Sequence, residues 1–280
     1  MRGSRRIRVI TDSTADIPPG LVVRWGIVVV PLYVHFGEET FRDGMDLTPE
    51  DFYARLVRQE YPTTSQPSVG AFRRAYEQMA AGGGEVISIH LSAGLSGTAQ
   101  AALLAADQID GRVAVVDSGL LSMGVGWLVL AAAEAARQGT PLDETVALVE
   151  EMRGRSHVLA LIESLEHLRR GGRIGRAQEA VGSLLDIRPI VTLRDGKVVM
   201  LERVRTRRAG QGRLVELVSA LGPLERLAVL HVGVPSAAQR VADALSPVFP
   251  REDMLVLPAG QVVATHVGPD AVGVACVVAG

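Results

Sequence analysis

The sequence predicts an α/β protein with an N-terminal parallel-sheet domain, residues 1–154, and a C-terminal α+β domain, residues 155–280. In the first half, continuous apolar runs rich in β-branched residues alternate with helical patterns, as expected for parallel strands buried on both faces. In the second half, a hairpin signal occurs among helices and strands. The chain has 280 residues, 48% hydrophobic and 21% charged, which is enough for sizeable cores.

In the first domain, predicted strands and helices follow one another. The apolar runs predict strands at Ile7–Ile10, Ile27–Val34, Val86–Leu91 and Val113–Val116. Cap residues and apolar spacing predict helices at Pro49–Arg58, Ser68–Ala81 and Thr98–Gln108. The uncharged run Ser118–Ala133 is shorter than the roughly 20 residues of a membrane span, so it predicts a buried helix.

The second domain is predicted to mix antiparallel strands with helices. A helix at Leu142–Arg153 precedes it. The Asp195-Gly196 pair between two apolar runs predicts a hairpin of Ile190–Leu193 with Val198–Val204. Further helices are expected at Gln211–Leu221 and Ala237–Leu245, and further strands at Leu159–Ile162, Leu227–Val232, Met254–Leu257 and Val272–Val278.

Composition excludes several classes of protein. The net charge of −2 offers no whole-chain attraction to nucleic acid or to an anionic membrane. Cys276 is the only cysteine, which excludes an intramolecular disulfide and a Cys-rich zinc site. The six histidines lack H-x-x-x-H spacing, so no metal site is expected. The start, MRGSRRIRVI, has no apolar stretch of a secretory signal. We expect a cytoplasmic protein without stable membrane insertion.

Polar clusters at the ends of predicted strands are candidates for ligand binding, because ligands of open α/β sheets bind beyond the carboxyl ends of the strands. The clusters are Thr11–Thr14, Thr63–Ser68, Ser92–Thr98 and Asp117-Ser118. The third is the most informative, since glycines allow close backbone approach and a helix start favours an anion. Helix capping, the commonest role of such side chains, stays open for each cluster.

Common catalytic motifs do not fit. Gly94-Leu95-Ser96-Gly97 is followed by Thr98, so the G-x-S-x-G elbow is missing, and there is no P-loop. His266 is predicted to lie in an irregular Gly/Pro segment between strands. It is either a buried, satisfied histidine or a donor to an anion.

Positive charge is concentrated between Glu166 and Arg213, where the net charge is +7 on a chain that is otherwise −9. This segment is either a solvated face or a docking surface for a phosphate, a nucleotide-bearing partner or nucleic acid. It contains no aromatic residue, which argues against stacking of single-stranded nucleic acid.

The ordered motifs resemble the DegV family of bacterial fatty-acid-binding proteins along nearly the whole chain. They are Val9–Asp16, Val30–Leu32, Thr64–Ser68, Ser88–Thr98, Val116–Ser118, Leu168–Ile174, and Thr265-His266 with Gly268.

The resemblance implies a long-chain, palmitate-like fatty acid between the two domains, and no cofactor or catalysis of the chain's own. By motif, Thr64, Ser96 and His266 are expected to bind the fatty-acid carboxylate, supported by Ser65, Gly97 and Thr98. It also implies that a separate fatty acid kinase, similar to dihydroxyacetone kinases, phosphorylates the bound fatty acid for phospholipid synthesis. Contacts to that kinase or to the transferred phosphate are expected at Arg170, Arg173 and Arg205.

Two other functions stay open at this point. The first is an acyl hydrolase that uses Ser96 and His266, with Asp270 as the nearest carboxylate in sequence to orient the histidine. The second is a protein that binds a non-lipid anion or a nucleotide through the basic segment.

Overall fold

A computed structural model describes residues 7–58, 60–81, 83–177 and 187–280. The strands are β1 (Ile7–Asp12), β2 (Val28–Val30), β3 (Tyr33–Phe36), β4 (Glu39–Arg42), β5 (Thr63–Ser65), β6 (Glu85–His90), β7 (Arg112–Asp117), β8 (Ser156–Leu161), β9 (Arg188–Arg194), β10 (Lys197–Val204), β11 (Leu224–His231), β12 (Leu255–Pro258) and β13 (Val272–Val278). The helices are α1 (Pro19–Trp25), α2 (Pro49–Val57), α3 (Val69–Ala80), α4 (Thr98–Ala106), α5 (Met123–Gln138), α6 (Leu142–Gly154), α7 (Glu166–Arg170), α8 (Arg207–Ser219), α9 (Pro235–Leu245) and α10 (Gln261–Val267).

The predicted parallel sheet is present, with the strand order β2-β1-β6-β7. Every neighbouring pair in it is parallel. Helices α3 and α4 cover one face, and α5 packs on the other against β1 and β6. Because both faces are covered, the strands are continuous apolar runs, which is why the sequence predicts them well.

The predicted second sheet is also present, with six strands in the order β10-β9-β8-β13-β11-β12. Its pairs are antiparallel except for β11 with β12. The hairpin of β9 and β10 turns at Asp195 and Gly196, both of which have positive φ, as a two-residue type I′ turn requires. The α/β fold class with an α+β second half is confirmed.

A small third sheet, β4-β3-β5, corrects one sequence prediction. The run Ile27–Val34 is not a single strand, because it divides at Pro31 into β2 of the parallel sheet and β3 of the small sheet. Proline has no N–H to continue the β1–β2 ladder. The next residue, Leu32, turns away and donates its N–H to the Ser13 hydroxyl at 3.0 Å.

The two halves of the chain share core packing. Helix α5 contacts β8 and β13 of the second sheet, and the Trp127 indole N–H donates to the carbonyl of Ala275 at 3.1 Å. Leu32 and Phe52 share a buried cluster with Ile162. The proposed domain boundary falls between the end of α6 and the start of β8, and it stays a prediction.

Helix α5 is the buried helix predicted from the run Ser118–Ala133, although it begins later, at Met123. Its N-cap residue, Ser122, has a φ of 56°, so the chain turns sharply before the helix starts. Among the helices that the structure describes, none has the length and apolar character needed to cross a membrane.

Candidate functional site

A cavity of about 330 Å³ lies where the small sheet, the Ser92–Thr98 loop, helix α10 and the second sheet meet. Its walls are mainly aliphatic, and its polar side chains are few. The N-terminal half contributes Leu32, Thr64, Ser65, Gln66, Leu91, Leu95, Ser96 and Leu121. The C-terminal half contributes Val158, Ala160, Leu168, Arg173, Val191, Thr192, Leu193, Val198, Val262, Val263, His266 and Val267.

Thr64 and His266 meet at this cavity. Thr64 is the central residue of β5, where side chains alternate, so its side chain is half-buried while Thr63 and Ser65 are exposed. The Thr64 hydroxyl oxygen lies 2.8 Å from Nε2 of His266. His266 is in the last turn of α10, so the prediction of an irregular segment around it is wrong. Helix α10 ends at Gly268, where φ is +79°.

His266 is neutral near pH 7 in this environment. Burial, with smaller contributions from the positive charge of Arg173 and from the nearby His167, lowers its pKa to about 4. Its Nδ1 is buried and has no hydrogen-bond partner among the described residues. A Cβ on Gly171 would lie 2.2 Å from this nitrogen, so only glycine allows the chain to pass so close to the ring.

Ser96 is held by the loop that leads into α4. Its hydroxyl lies 2.8 Å from the hydroxyl of Thr98, and it also accepts the Thr98 backbone N–H at 3.3 Å. Thr98 is fully buried beneath Ser96, and Gly97 is the N-cap residue of α4. A Cβ on Gly97 would lie 2.2 Å from the Gln66 side-chain oxygen, so glycine lets the two loops approach each other.

Two of the three predicted supporting residues therefore act from behind the cavity wall. Thr98 orients Ser96, and Gly97 allows the loop to pack. Ser65, the third, borders the cavity, but its hydroxyl lies 2.8 Å from Nε2 of His35. Thr64, on strand β5, and Ser96, in the loop before α4, both line the cavity.

The hairpin of β9 and β10 closes the cavity against the Ser92–Thr98 loop. The Ser92 hydroxyl donates to the carbonyl of Gly196 at 2.7 Å. A Cβ on Gly94 would lie 2.4 Å from the same carbonyl oxygen. Both contacts join the N-terminal loop to the turn of the C-terminal hairpin.

Arg173 also lies on the cavity, near its polar residues. Its Nε donates to the carbonyl of Leu95 at 3.1 Å, which fixes the guanidinium beside the Ser96 loop. A second, smaller pocket of about 200 Å³ shares Thr64, Arg173 and His266 with the cavity. Arg170 borders this second pocket but does not line the cavity, and its guanidinium lies 3.7 Å from the ring centre of Tyr61.

The three arginines grouped by the resemblance thus occupy different surroundings. Arg173 is partly buried at the cavity, while Arg170 is about half exposed and paired with Glu166. Arg205 is exposed beyond the end of β10, and its carbonyl accepts a hydrogen bond from Arg188 at 2.8 Å. The part of the basic segment at residues 178–186 lies outside the described residues.

The geometry does not form the triad that an acyl hydrolase would need. Ser96 is bonded to Thr98, and His266 is bonded to Thr64. Asp270, the nearest carboxylate in sequence, pairs with Arg207 at the surface. Among the described contacts, none orients His266 toward Ser96 with a carboxylate behind it.

Ser88, His90 and Asp12 form a hydrogen-bonded chain that is buried in the parallel sheet. The ring of His90 lies 3.0 Å from Asp12 through Nδ1 and 2.7 Å from the Ser88 hydroxyl through Nε2. Tyr76 donates to the same hydroxyl at 2.9 Å. All four side chains are fully buried, so this chain of hydrogen bonds joins strands rather than contacting a substrate.

Two of the predicted polar clusters are explained by such structural roles. Asp12 accepts the N–H of Thr14 at the start of a 3₁₀ turn. Asp117 accepts the N–H groups of Ala93 and Gly119, and Ser118 accepts the N–H of Leu120. The clusters around Thr64 and Ser96 are the two that reach the cavity.

Sequence reasoning named the polar end of the cavity but not its apolar walls. Alternate residues of β8, Val158 and Ala160, line it, whereas β9 contributes the consecutive residues Val191, Thr192 and Leu193. Which residues of a strand meet a cavity cannot be read from one sequence.

The arrangement suits a molecule with a long apolar part and one anionic end. Two hydroxyls and a guanidinium can stabilise a carboxylate that would otherwise be costly to bury. Among the described residues, no group of three or more His, Cys, Asp and Glu side chains is placed to hold a metal ion.

Comparison with known proteins gives one family over nearly the whole chain. Residues 6–279 match the family model described as uncharacterised protein, DegV family. A DegV domain-containing protein of Halalkalibacterium halodurans is 38% identical over 274 residues, which cover 96% of this chain and 97% of the relative. Protein DegV of Bacillus subtilis is 35% identical over 274 residues, covering 96% and 98%.

Solved structures have the same fold. A DegV family protein from Thermus thermophilus, described by its fatty acid binding, has a TM-score of 0.91 and 36% identity, covering 98% of this chain and all of that one. DegV of Bacillus subtilis, described as a fatty acid binding protein, has a TM-score of 0.89 and 35% identity, covering 98% and 99%.

Proposed function

This chain belongs to the DegV family, and on that premise we propose that it binds a long-chain fatty acid, with the carboxylate at Thr64, Ser96 and His266. The observation that carries the proposal is the aliphatic cavity with these polar side chains gathered on its wall. Relatives of known structure that are 35–36% identical are described as fatty-acid-binding proteins, which supports the same ligand class here.

The physical chemistry of the cavity supports an acyl chain. Each buried CH₂ contributes about 0.8 kcal/mol, so a long tail supplies most of the affinity. The carboxylate fixes the orientation, because it is stable only where hydrogen-bond donors meet it. Thr64 and Ser96 can each donate a hydroxyl proton, and neutral His266 can donate its ring N–H either to the Thr64 oxygen or to the carboxylate. Arg173 adds a positive charge.

We further propose that the bound carboxylate is presented to a separate kinase, similar to dihydroxyacetone kinases, in the cytoplasm, and that the acyl phosphate feeds phospholipid synthesis. The second pocket supports this, because it adjoins the cavity at Thr64 and His266 and carries Arg170 and Arg173. A guanidinium pairs bidentately with phosphate. In this function the chain is a carrier and does no chemistry itself.

The test is mass spectrometry of ligand extracted from the purified protein, followed by binding of palmitate to the delipidated protein. We expect one fatty acid per chain and saturable binding. Ser96→Ala, which loses a donor to the carboxylate, should bind palmitate more weakly, and Thr63→Val, a change at the exposed neighbour of Thr64, is the matched control. Extracts without fatty acid, together with no palmitate binding, would overturn the proposal. Hydrolysis of an acyl ester that disappears in Ser96→Ala would favour an acyl hydrolase instead.

A further inference from the structure

Helix α10 carries His266 at its end but has no side-chain cap of its own at its start. Its N-cap residue is Gly260, which offers no side chain. The carboxylate of Asp43 takes that role from the loop after β4. Its Oδ1 accepts the N–H of Gln261 at 3.1 Å and that of Val262 at 3.4 Å. Accepting hydrogen bonds from the free N–H groups of its first turn stabilises a helix.

Asp43 is buried, with 3% of its surface exposed. Burying a carboxylate is costly unless it accepts hydrogen bonds or lies at the positive N-terminal end of a helix. A second contact ties the same loop to the same turn, because the Gln261 side-chain amide donates to the carbonyl of Leu47 at 2.6 Å. The start of α10 is therefore hydrogen-bonded to both ends of the 43–47 loop, at Asp43 and at Leu47.

The same loop directly follows β4 of the small sheet, which also carries Thr64. The N–H of Asp43 donates to the carbonyl of Leu32 at 2.9 Å, just before β3. Strand β3 pairs with β4 through Tyr33 and Arg42 and with β5 through Val34 and Thr64. Asp43 thus links the start of β3, the strand that pairs with β5, to the first turn of α10. The last turn of α10 in turn meets β5 at the 2.8 Å contact between Thr64 and His266.

We propose that Asp43 is a positioning residue of the fatty-acid head-group site, which sets α10 so that His266 meets Thr64 and the ligand carboxylate. The inference rests on the proposed function. Asp43 does not touch the ligand; it acts through the helix. Its effect on binding should therefore depend on the presence of His266.

The experiment is a double-mutant cycle on palmitate affinity with Asp43→Ala, His266→Ala and the combined variant. We expect Asp43→Ala to weaken binding about tenfold in the wild-type background. In the His266→Ala background, the same change should weaken binding less than about threefold, because the group that Asp43 positions is already gone. Asp43→Asn should rescue most of the affinity, since the amide oxygen can accept the same two N–H groups.

Two further variants make the result specific. Asp46→Ala is the matched control, because Asp46 lies in the same loop but pairs with Arg42 at the surface. This variant should bind palmitate with the affinity of wild type. If Asp43→Ala does not fold, Gln261→Ala replaces it in the cycle. That change removes the side-chain hydrogen bond to Leu47 and keeps the backbone N–H that donates to Asp43. ¹⁵N NMR should also show that the His266 ring signal moves in Asp43→Ala or Gln261→Ala.

The outcomes separate this inference from the proposed function. Equal loss of affinity in both backgrounds, or an unmoved His266 signal, would make Asp43 a general stabilising residue and overturn the inference. In that case a weakened His266→Ala single variant still supports fatty-acid binding. If wild type binds no palmitate at all, the proposed function itself has failed.

Discussion

The hydroxyl of Thr64 lies 2.8 Å from Nε2 of His266, although 202 positions separate the two residues in the chain. One belongs to a three-residue strand of the small sheet, and the other to a seven-residue helix beside the second sheet. Neither element is stable alone at such lengths, so the contact depends on the packing of both onto the rest of the fold.

Thr64→Val, Ser96→Ala and His266→Ala should each weaken palmitate binding. Each removes one donor to the carboxylate, and a hydrogen bond to a charged group contributes about 1.5–3 kcal/mol, which is roughly 10- to 150-fold in affinity. Titration calorimetry of delipidated protein measures the change. Thr63→Val is the matched control, since Thr63 is the exposed neighbour of Thr64 on the same strand. Unchanged affinity in all three variants would remove the head-group assignment.

The strands of the parallel sheet were predictable because their signal is local. β1, β6 and β7 are apolar runs that end in polar turns, and the structure places them within two residues of the predicted bounds. The prediction of one strand at Ile27–Val34 was wrong, because the sequence stays apolar through the break between β2 and β3.

Helix α10 could not be predicted because the side chain that caps it is far away in sequence. Asp43 is 218 positions from Gln261, whose N–H it accepts. The residues of the polar site were named through the family resemblance, since no periodicity relates Thr64, Ser96 and His266. Only the folded chain shows that Thr98 supports Ser96 from behind and that Arg173 borders the cavity.

Asp16→Asn should make stability less sensitive to alkaline pH. Burial raises the pKa of Asp16 to about 8, with the negative charges of Asp43 and Asp12 acting in the same direction and the hydrogen bonds from Ser122 and Gly260 acting against it. The folded chain then binds more protons than the unfolded chain between about pH 4 and pH 8, so the free energy of unfolding falls as the pH rises through that window. An asparagine keeps the contacts to Ser122 and Gly260 without titrating.

Thermal melts of wild type and Asp16→Asn from about pH 6 to about pH 9 measure this difference. As the pH rises, the melting temperature of wild type should fall relative to that of Asp16→Asn. Asp46→Asn is the control: ion pairing with Arg42 holds the pKa of Asp46 at about 2, so this variant should follow wild type across the range. A constant offset between Asp16→Asn and wild type would show that Asp16 does not titrate there.

Fatty-acid binding should raise the pKa of His266. In the ligand-free protein burial and Arg173 lower it to about 4. A carboxylate beside the ring favours the charged imidazolium and moves the pKa upward. NMR titration of the His266 ring, assigned with His266→Gln, should give a higher midpoint in palmitate-loaded protein. An identical midpoint with and without palmitate would mean that the carboxylate lies elsewhere.

Arg173 and Arg205 should differ in what they do for the proposed carrier function. Arg173 is partly buried at the cavity and held by the carbonyl of Leu95, so Arg173→Ala should weaken palmitate binding by about tenfold or more. Arg205 is exposed, so Arg205→Ala should bind palmitate as wild type does. With a cognate kinase at low salt, however, Arg205→Ala should be phosphorylated more slowly, because a docking charge is lost.

The control for this comparison is Arg208→Ala, which removes an exposed arginine from the same basic segment. It should match wild type in both assays. The defect of Arg205→Ala should shrink at high salt, because the Debye length falls from about 10 Å at 0.1 M to about 3 Å at 1 M and exposed charges are then screened in wild type as well. If Arg205→Ala is phosphorylated at the wild-type rate at low salt, the exposed part of the segment is a solvated face and the kinase docks elsewhere. If Arg173→Ala binds palmitate normally, its guanidinium serves the phosphate rather than the carboxylate.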